Sequence, residues 1–191
     1  MTTMNAYAVR LVPYFNAKGV SWPEQNIWGC MEHTNTSLPG LHLPNNETIQ
    51  CQGIPFSFPR TDTTEDDHIS CEGQTLHVGV ERPYRQLALL GVSTWGDYED
   101  GITFAYAAGE RTFRQTRKLG LSDLCRLWDY QQLSYGERVG LRFPFYWQGT
   151  RAIQFPVGIW LQTLELDAQA ALQTIELPDN PYMYIFAMTL I

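Results

Sequence analysis

The chain carries few charges. Of its 191 residues, 17% are Asp, Glu, Lys or Arg, below the ~25% usual for soluble domains. What charge exists is unbalanced: 20 acidic against 13 basic residues give a formal net charge of −7. An acidic surface repels phosphate backbones. The nearest thing to a basic patch, Arg111, Arg114, Arg117 and Lys118, is interrupted by Thr and Gln, as on the solvated face of a strand. Nucleic acid is therefore not an expected partner. No run of ~18 apolar residues occurs, so no membrane-spanning helix is expected either. The start, Met1-Thr2-Thr3-Met4-Asn5, lacks a charged region followed by an apolar core. Without a signal peptide the expectation is a cytoplasmic protein, with a trimmed secreted form left open.

Familiar catalytic and cofactor signatures are also missing. There is no P-loop, no GxGxxG after a strand, no GxSxG and no HExxH, so no organic cofactor is expected. The cysteines Cys30, Cys51, Cys71 and Cys125 form no CxxC pair, which argues against a zinc ribbon. They read as buried free thiols, with a Cys51–Cys71 disulfide left open. The histidines His33, His42, His68 and His77 show no metal-triad spacing and read as ordinary loop or surface residues. Long amphipathic stretches, which a parallel sheet would need as crossover helices, are absent as well.

What the chain does have is aromatic and apolar residues, at 13% and 44%. Flat and branched side chains suit a pleated, half-buried surface. Turn signals recur at short intervals between strand-like runs, the mark of an all-β domain. The expected strands are Tyr7 to Phe15, Ile54 to Phe58, His68 to Cys71 and Gln74 to Val80. Arg85 to Val92 follows as a central strand. Ile102 to Ala107 and Arg111 to Thr116 form a hairpin across Ala108-Gly109-Glu110. Arg138 to Tyr146, Gly158 to Leu166, Ala171 to Leu177 and Met183 to Leu190 complete the set, with Pro178-Asp179-Asn180-Pro181 a rigid turn into the last. Residues 20 to 50 read as a long loop, of a kind often functional, and Asp62 to Asp67 as a solvated one. Ser122-Asp123 would cap one short helical turn through Leu127. This amounts to about ten strands in one antiparallel two-sheet β-sandwich over residues 1–191.

Two features carry candidate chemistry. The polar, aromatic loop from Ser93 to Gly101 holds Asp97, Glu99 and Asp100. These three could bind calcium with backbone carbonyls, or Asp97 or Glu99 could serve as a general acid or base; a solvated turn is the plain alternative. The second feature is the set of aromatics near loops, including Trp22, Trp28, Trp95, Tyr98, Trp128, Tyr130, Tyr135, Tyr146 and Trp147. A ring beside carboxylates and amides is what sugar recognition needs, because a pyranose stacks its apolar face and bonds through its hydroxyls. Trp160, central in an apolar strand, reads as core.

Several segments in order carry a family resemblance: Tyr14-Phe15-Asn16-Ala17-Lys18-Gly19-Val20, Gly53-Ile54-Pro55-Phe56-Ser57-Phe58-Pro59, Gly73-Gln74-Thr75-Leu76, Leu89-Leu90-Gly91-Val92-Ser93-Thr94-Trp95-Gly96-Asp97, Tyr106-Ala107-Ala108-Gly109, Leu119-Gly120-Leu121-Ser122-Asp123, and Leu177-Pro178-Asp179-Asn180-Pro181 with Ile185-Phe186-Ala187-Met188-Thr189-Leu190. Together they resemble the galactose-binding-like, jelly-roll accessory domains of bacterial glycoside hydrolases. The resemblance implies a fold more directly than an activity. Three functions follow as expectations. The first is a non-catalytic carbohydrate-binding module, with Trp95, Asp97, Tyr98, Glu99, Trp128 and Tyr130 contacting the glycan. The second is a stand-alone, cofactor-independent cyclase, isomerase or lyase with a pocket at the sandwich end, using Asp97, Glu99 or His33. The third is an assembly role in which edge strands and exposed aromatics make a homodimer or bind another enzyme.

Overall fold

In the computed structural model the described residues are 5–31, 35–126 and 132–191. Sixteen strands follow one another through them: β1 (Tyr7–Ala8), β2 (Val20–Ser21), β3 (Thr36–Pro39), β4 (Thr48–Cys51), β5 (Ile54–Ser57), β6 (Ile69–Glu72), β7 (Thr75–His77), β8 (Gln86–Ser93), β9 (Tyr98–Ala108), β10 (Arg111–Leu121), β11 (Arg138–Phe143), β12 (Tyr146–Gln148), β13 (Arg151–Ile153), β14 (Val157–Glu165), β15 (Ala171–Glu176) and β16 (Asp179–Leu190). Among the described residues there is no α-helix, only 3-10 turns at Val12–Tyr14, Pro23–Gln25 and Gly40–His42. Among the described residues no helix is long and apolar enough to cross a membrane.

The organising element is a sheet ordered β1-β16-β8-β14-β11, with β6 also paired to β16. A second sheet, β10-β9-β15-β7, lies over one of its faces. Between them Leu87, Leu89, Met188 and Leu190 meet Leu76, Phe104, Tyr106, Leu121 and Ile175. The opposite face of the first sheet is covered as well, by a small β13-β12-β3-β2 sheet and the β4-β5 hairpin. There Ala88, Leu90 and Val92 pack with Val20, Leu38, Phe56 and Phe58. Alternate residues of β8 thus enter different cores, and a strand buried on both faces reads as an unbroken apolar run. The expected sandwich is present, with a further layer on its back. Most pairings are antiparallel, but β2 and β3 run parallel.

β16 feeds both cores through an irregularity. Met183 and Ile185 enter the first core and Tyr184 the second; Phe186 and Ala187 then both enter the second, after which Met188 and Leu190 return to the first. The register against β8 shifts between Ile185 and Ala187. An extra residue at such a bulge restores the facing that a strict two-residue alternation would have lost.

Several expected boundaries change. The first strand ends at Ala8, because Pro13 has no N–H for a ladder and sits in a 3-10 turn. Residues 20 to 50 are not loop throughout: they hold β2, β3 and part of β4. Asp179 and Asn180 do not form a turn but pair with Glu72 and Cys71 in β16. Ser122-Asp123 opens a tight turn at residues 124–126 rather than a helix, since the Asp123 side chain takes the Cys125 N–H two residues on. Leu127 lies outside the described residues.

The acidic run from Asp62 to Asp67 is only partly solvated. Asp67 and His68 are fully buried. Asp67 accepts hydrogen bonds from the Gly19 and Val20 N–H groups at 2.8 and 3.2 Å, from Lys18 Nζ at 2.5 Å and from His68 Nδ1 at 3.0 Å. Lys18 Nζ also donates to the Thr61 carbonyl. This cluster ties the first long connection of the chain to the segment entering β6. The His68 ring stacks on Phe186 and meets Tyr184 edge-on. So His68 is a core residue, not the surface residue its sequence context suggests.

Candidate functional site

The loop after β8 is fastened to the segment after β10. Ser93 N–H donates to the Ser122 carbonyl, and Leu124 N–H returns a bond to the Ser93 carbonyl. Ser93 Oγ donates to the carbonyls of Gly96 and Leu121 at 2.7 and 2.8 Å. Two aspartates then exchange bonds. Asp97 Oδ1 accepts the Asp123 N–H at 2.8 Å, and Asp123 Oδ2 accepts the Gly96 N–H at 2.9 Å. Asp97 also takes the Ser134 hydroxyl and pairs with Arg126 at 3.2 Å. Below, buried Glu137 accepts the Ser122 and Tyr135 N–H groups, while the Trp160 indole donates to the Ser122 carbonyl at 2.7 Å. Trp160 is core, as its position in an apolar strand indicates.

This framework holds Trp95 out of the protein. The residue is 72% exposed and its backbone is left-handed, with φ of 66°. For a bulky residue that conformation is a genuine outlier, and such strain persists only where the surroundings impose it. Here they do: Thr94 N–H is held by the Tyr182 carbonyl and Gly96 N–H by Asp123.

Trp95 forms the lip of a cleft of about 180 Å3, lined also by Thr36, Thr94, Asp123, Leu124, Cys125, Tyr146 and Gln148. The volume is below the ~300–1,000 Å3 of clefts that engulf drug-sized ligands, so it suits one ring or one small polar group. Burial pushes the Cys125 thiol up to about 12, with the Asp123 charge adding to the effect. The Tyr146 phenol is also raised, first by burial and then by Cys125 and Asp123. Both groups therefore stay protonated at neutral pH, and Cys125 is no thiolate nucleophile.

Of the residues singled out in the sequence, Trp95 lines the cleft and Asp97 fastens the loop beneath it. Tyr98 and Glu99 do not join them, because β9 begins at Tyr98 and the loop is shorter than expected. Tyr98 stacks on Tyr182, with ring centroids 5.7 Å apart. Glu99 pairs with Lys118 at 2.6 Å, and Asp100 accepts the N–H of Gly101. Asp97, Glu99 and Asp100, the carboxylates considered for calcium, thus have separate partners within the chain. Among the described residues no group of three His, Cys, Asp or Glu side chains is placed to hold a metal. His33, Trp128 and Tyr130 lie outside the described residues. Asp123 and Gln148 escaped the sequence reading. The one signal for Asp123 was its Ser-Asp turn chemistry, which does not distinguish a turn from a ligand contact.

A family model described as AziU2-like beta-sandwich domain matches residues 5–133. The chain belongs to this family. No curated protein matches it. The AziU2-like match takes in Thr36, Thr94, Trp95, Asp123, Leu124 and Cys125 of the cleft, and leaves Tyr146 and Gln148 outside. The sequence resemblance to galactose-binding-like accessory domains holds at the level of the β-sandwich.

Proposed function

We propose that the protein binds a small polyhydroxylated ligand, a saccharide by class, in the Trp95 cleft without turning it over. Such a role would parallel that of the galactose-binding-like accessory domains its sequence resembles. The observation that carries this reading is the exposed Trp95 ring, held at the lip by strained backbone. An apolar face offered to solvent beside a carboxylate, hydroxyls and an amide matches a pyranose, which is apolar on its faces and polar at its rim. The test is thermal unfolding against a panel of mono- and oligosaccharides and small apolar metabolites, with and without calcium. Saturating ligand raises stability by mass action, by about 2.7 kcal/mol at a hundredfold excess over Kd. A sugar-induced rise in Tm that vanishes in Trp95→Ala is the expected result; a rise that survives in Trp95→Ala would place the ligand elsewhere.

A second reading is favoured by the titratable groups in the same cleft. Asp123 is a carboxylate, and the Cys125 and Tyr146 protons are retained at neutral pH. A base beside two acids at a sandwich end suits a cofactor-independent cyclase, isomerase or lyase. An apolar metabolite that raises Tm where no sugar does, and is then converted by the wild type but not by Asp123→Asn, would replace the saccharide reading.

A further inference from the structure

We infer that the ligand of the Trp95 cleft carries a positively charged nitrogen, an ammonium group seated against Asp123; this deepens the binding role proposed above and rests on it. Among the described residues that line the cleft, Asp123 is the one Asp, Glu, Lys or Arg. It is half-buried, and its two oxygens accept backbone N–H groups, from Gly96 and from Cys125 at 2.8 Å. A carboxylate has about four lone-pair sites; with the Cys125 thiol also bonded to Asp123, capacity for about one further donor remains on this cleft-lining residue. No Lys, Arg or His among the described residues forms a salt bridge with Asp123; the nearby Arg126 is committed to Asp97.

The other walls point the same way. The faces of Trp95 and Tyr146 carry the negative lobe of an aromatic quadrupole, which attracts cations within about 6 Å. None of the described lining residues is a Lys, Arg or His, and the whole chain has a formal net charge of −7. A small cleft with one charge sign and partly desolvated walls concentrates that sign's potential. The Asp123 charge and the aromatic faces disfavour an anionic ligand there, and neutral sugars leave the carboxylate without a counter-charge. An amino sugar or a comparable small amine supplies the ring, the hydroxyls and the cation together.

The experiment compares glucosamine, glucose, N-acetylglucosamine and tetramethylammonium, read by tryptophan fluorescence and Tm at matched ionic strength and mildly acidic pH. Glucosamine is expected to bind about tenfold or more tightly than glucose, as one charge-assisted hydrogen bond allows. In Asp123→Asn that preference should disappear while any glucose affinity persists. Because Asp123 also holds two backbone N–H groups, Trp95→Leu serves as a second variant. It leaves the carboxylate in place and is expected to weaken tetramethylammonium binding severalfold.

Glucose or N-acetylglucosamine binding as well as glucosamine would overturn the inference and leave the saccharide reading standing. A response to tetramethylammonium but to no sugar would keep the inference and remove the saccharide reading. A response to none of the probes would overturn both.

Discussion

A carboxylate shut away from water has to be met by donors on every side, and Asp67 is: two backbone N–H groups, the Lys18 ammonium and the His68 ring all point at it. Removing the charge would leave Lys18 without its counter-ion in a site where side-chain exposure is 12%. Asp67→Ala is therefore expected to cost about 3 kcal/mol or more, measured as a drop in the urea unfolding midpoint. Lys18→Met, which keeps the aliphatic stem, should cost less. Nothing in the run Asp62 to Asp67 distinguishes its last member from its solvated neighbours, because what buries Asp67 is a chain segment 48 residues away. Trp95 was legible as a candidate for the opposite reason: an aromatic in a Gly- and Asp-rich loop stands out locally. Its cleft partners Tyr146 and Gln148 come from β12, and no local pattern links them to it.

Elements with strict apolar runs were the easiest to read. β8 and β14 are buried along nearly their whole length, and their sequences show it. The hairpin of β9 and β10 was recognisable at its turn, where Gly109 takes φ of 61°, but not in its reach. The pairing runs from Arg111–Ala108 to Leu121–Tyr98, well into what reads as polar loop, because charged residues such as Glu99 and Lys118 sit comfortably on the open face. Gly158 in β14 marks a packing limit that sequence does not reveal. A Cβ there would lie 2.3 Å from the Trp160 ring and 3.0 Å from the Leu141 carbonyl. Gly158→Ala is expected to destabilise by about 1–3 kcal/mol. Chemical denaturation checks this, and near-ultraviolet circular dichroism should report the displaced indole.

On the scale of the molecule, two cores share one sheet, and both hold groups whose protons are kept by burial. Cys71 lies in the first core, Cys51 in the second with Cys125 packed against it, and all three thiols are raised, chiefly by burial. The Tyr106 phenol is raised for the same reason. For Cys125 the unfolded chain ionises near 9.0 and the folded chain near 12. Within that window the unfolded state binds fewer protons, so stability falls as pH rises. The contribution is whole below pH 9 and is lost on passing through 12. Urea midpoints should hold steady to about pH 9 and then decline, with a shallower decline in Cys125→Ser.

The placement of β8 has a practical consequence for producing the protein. Both of its neighbours, β14 and β16, come from beyond residue 133, where the family match stops. A fragment cut to the matched residues would therefore keep an eight-residue apolar strand with two unpaired edges. Bare edges of that kind recruit other chains. Such a fragment should accumulate as insoluble aggregate, and co-expression with a second fragment carrying residues 134–191 should return it to solution.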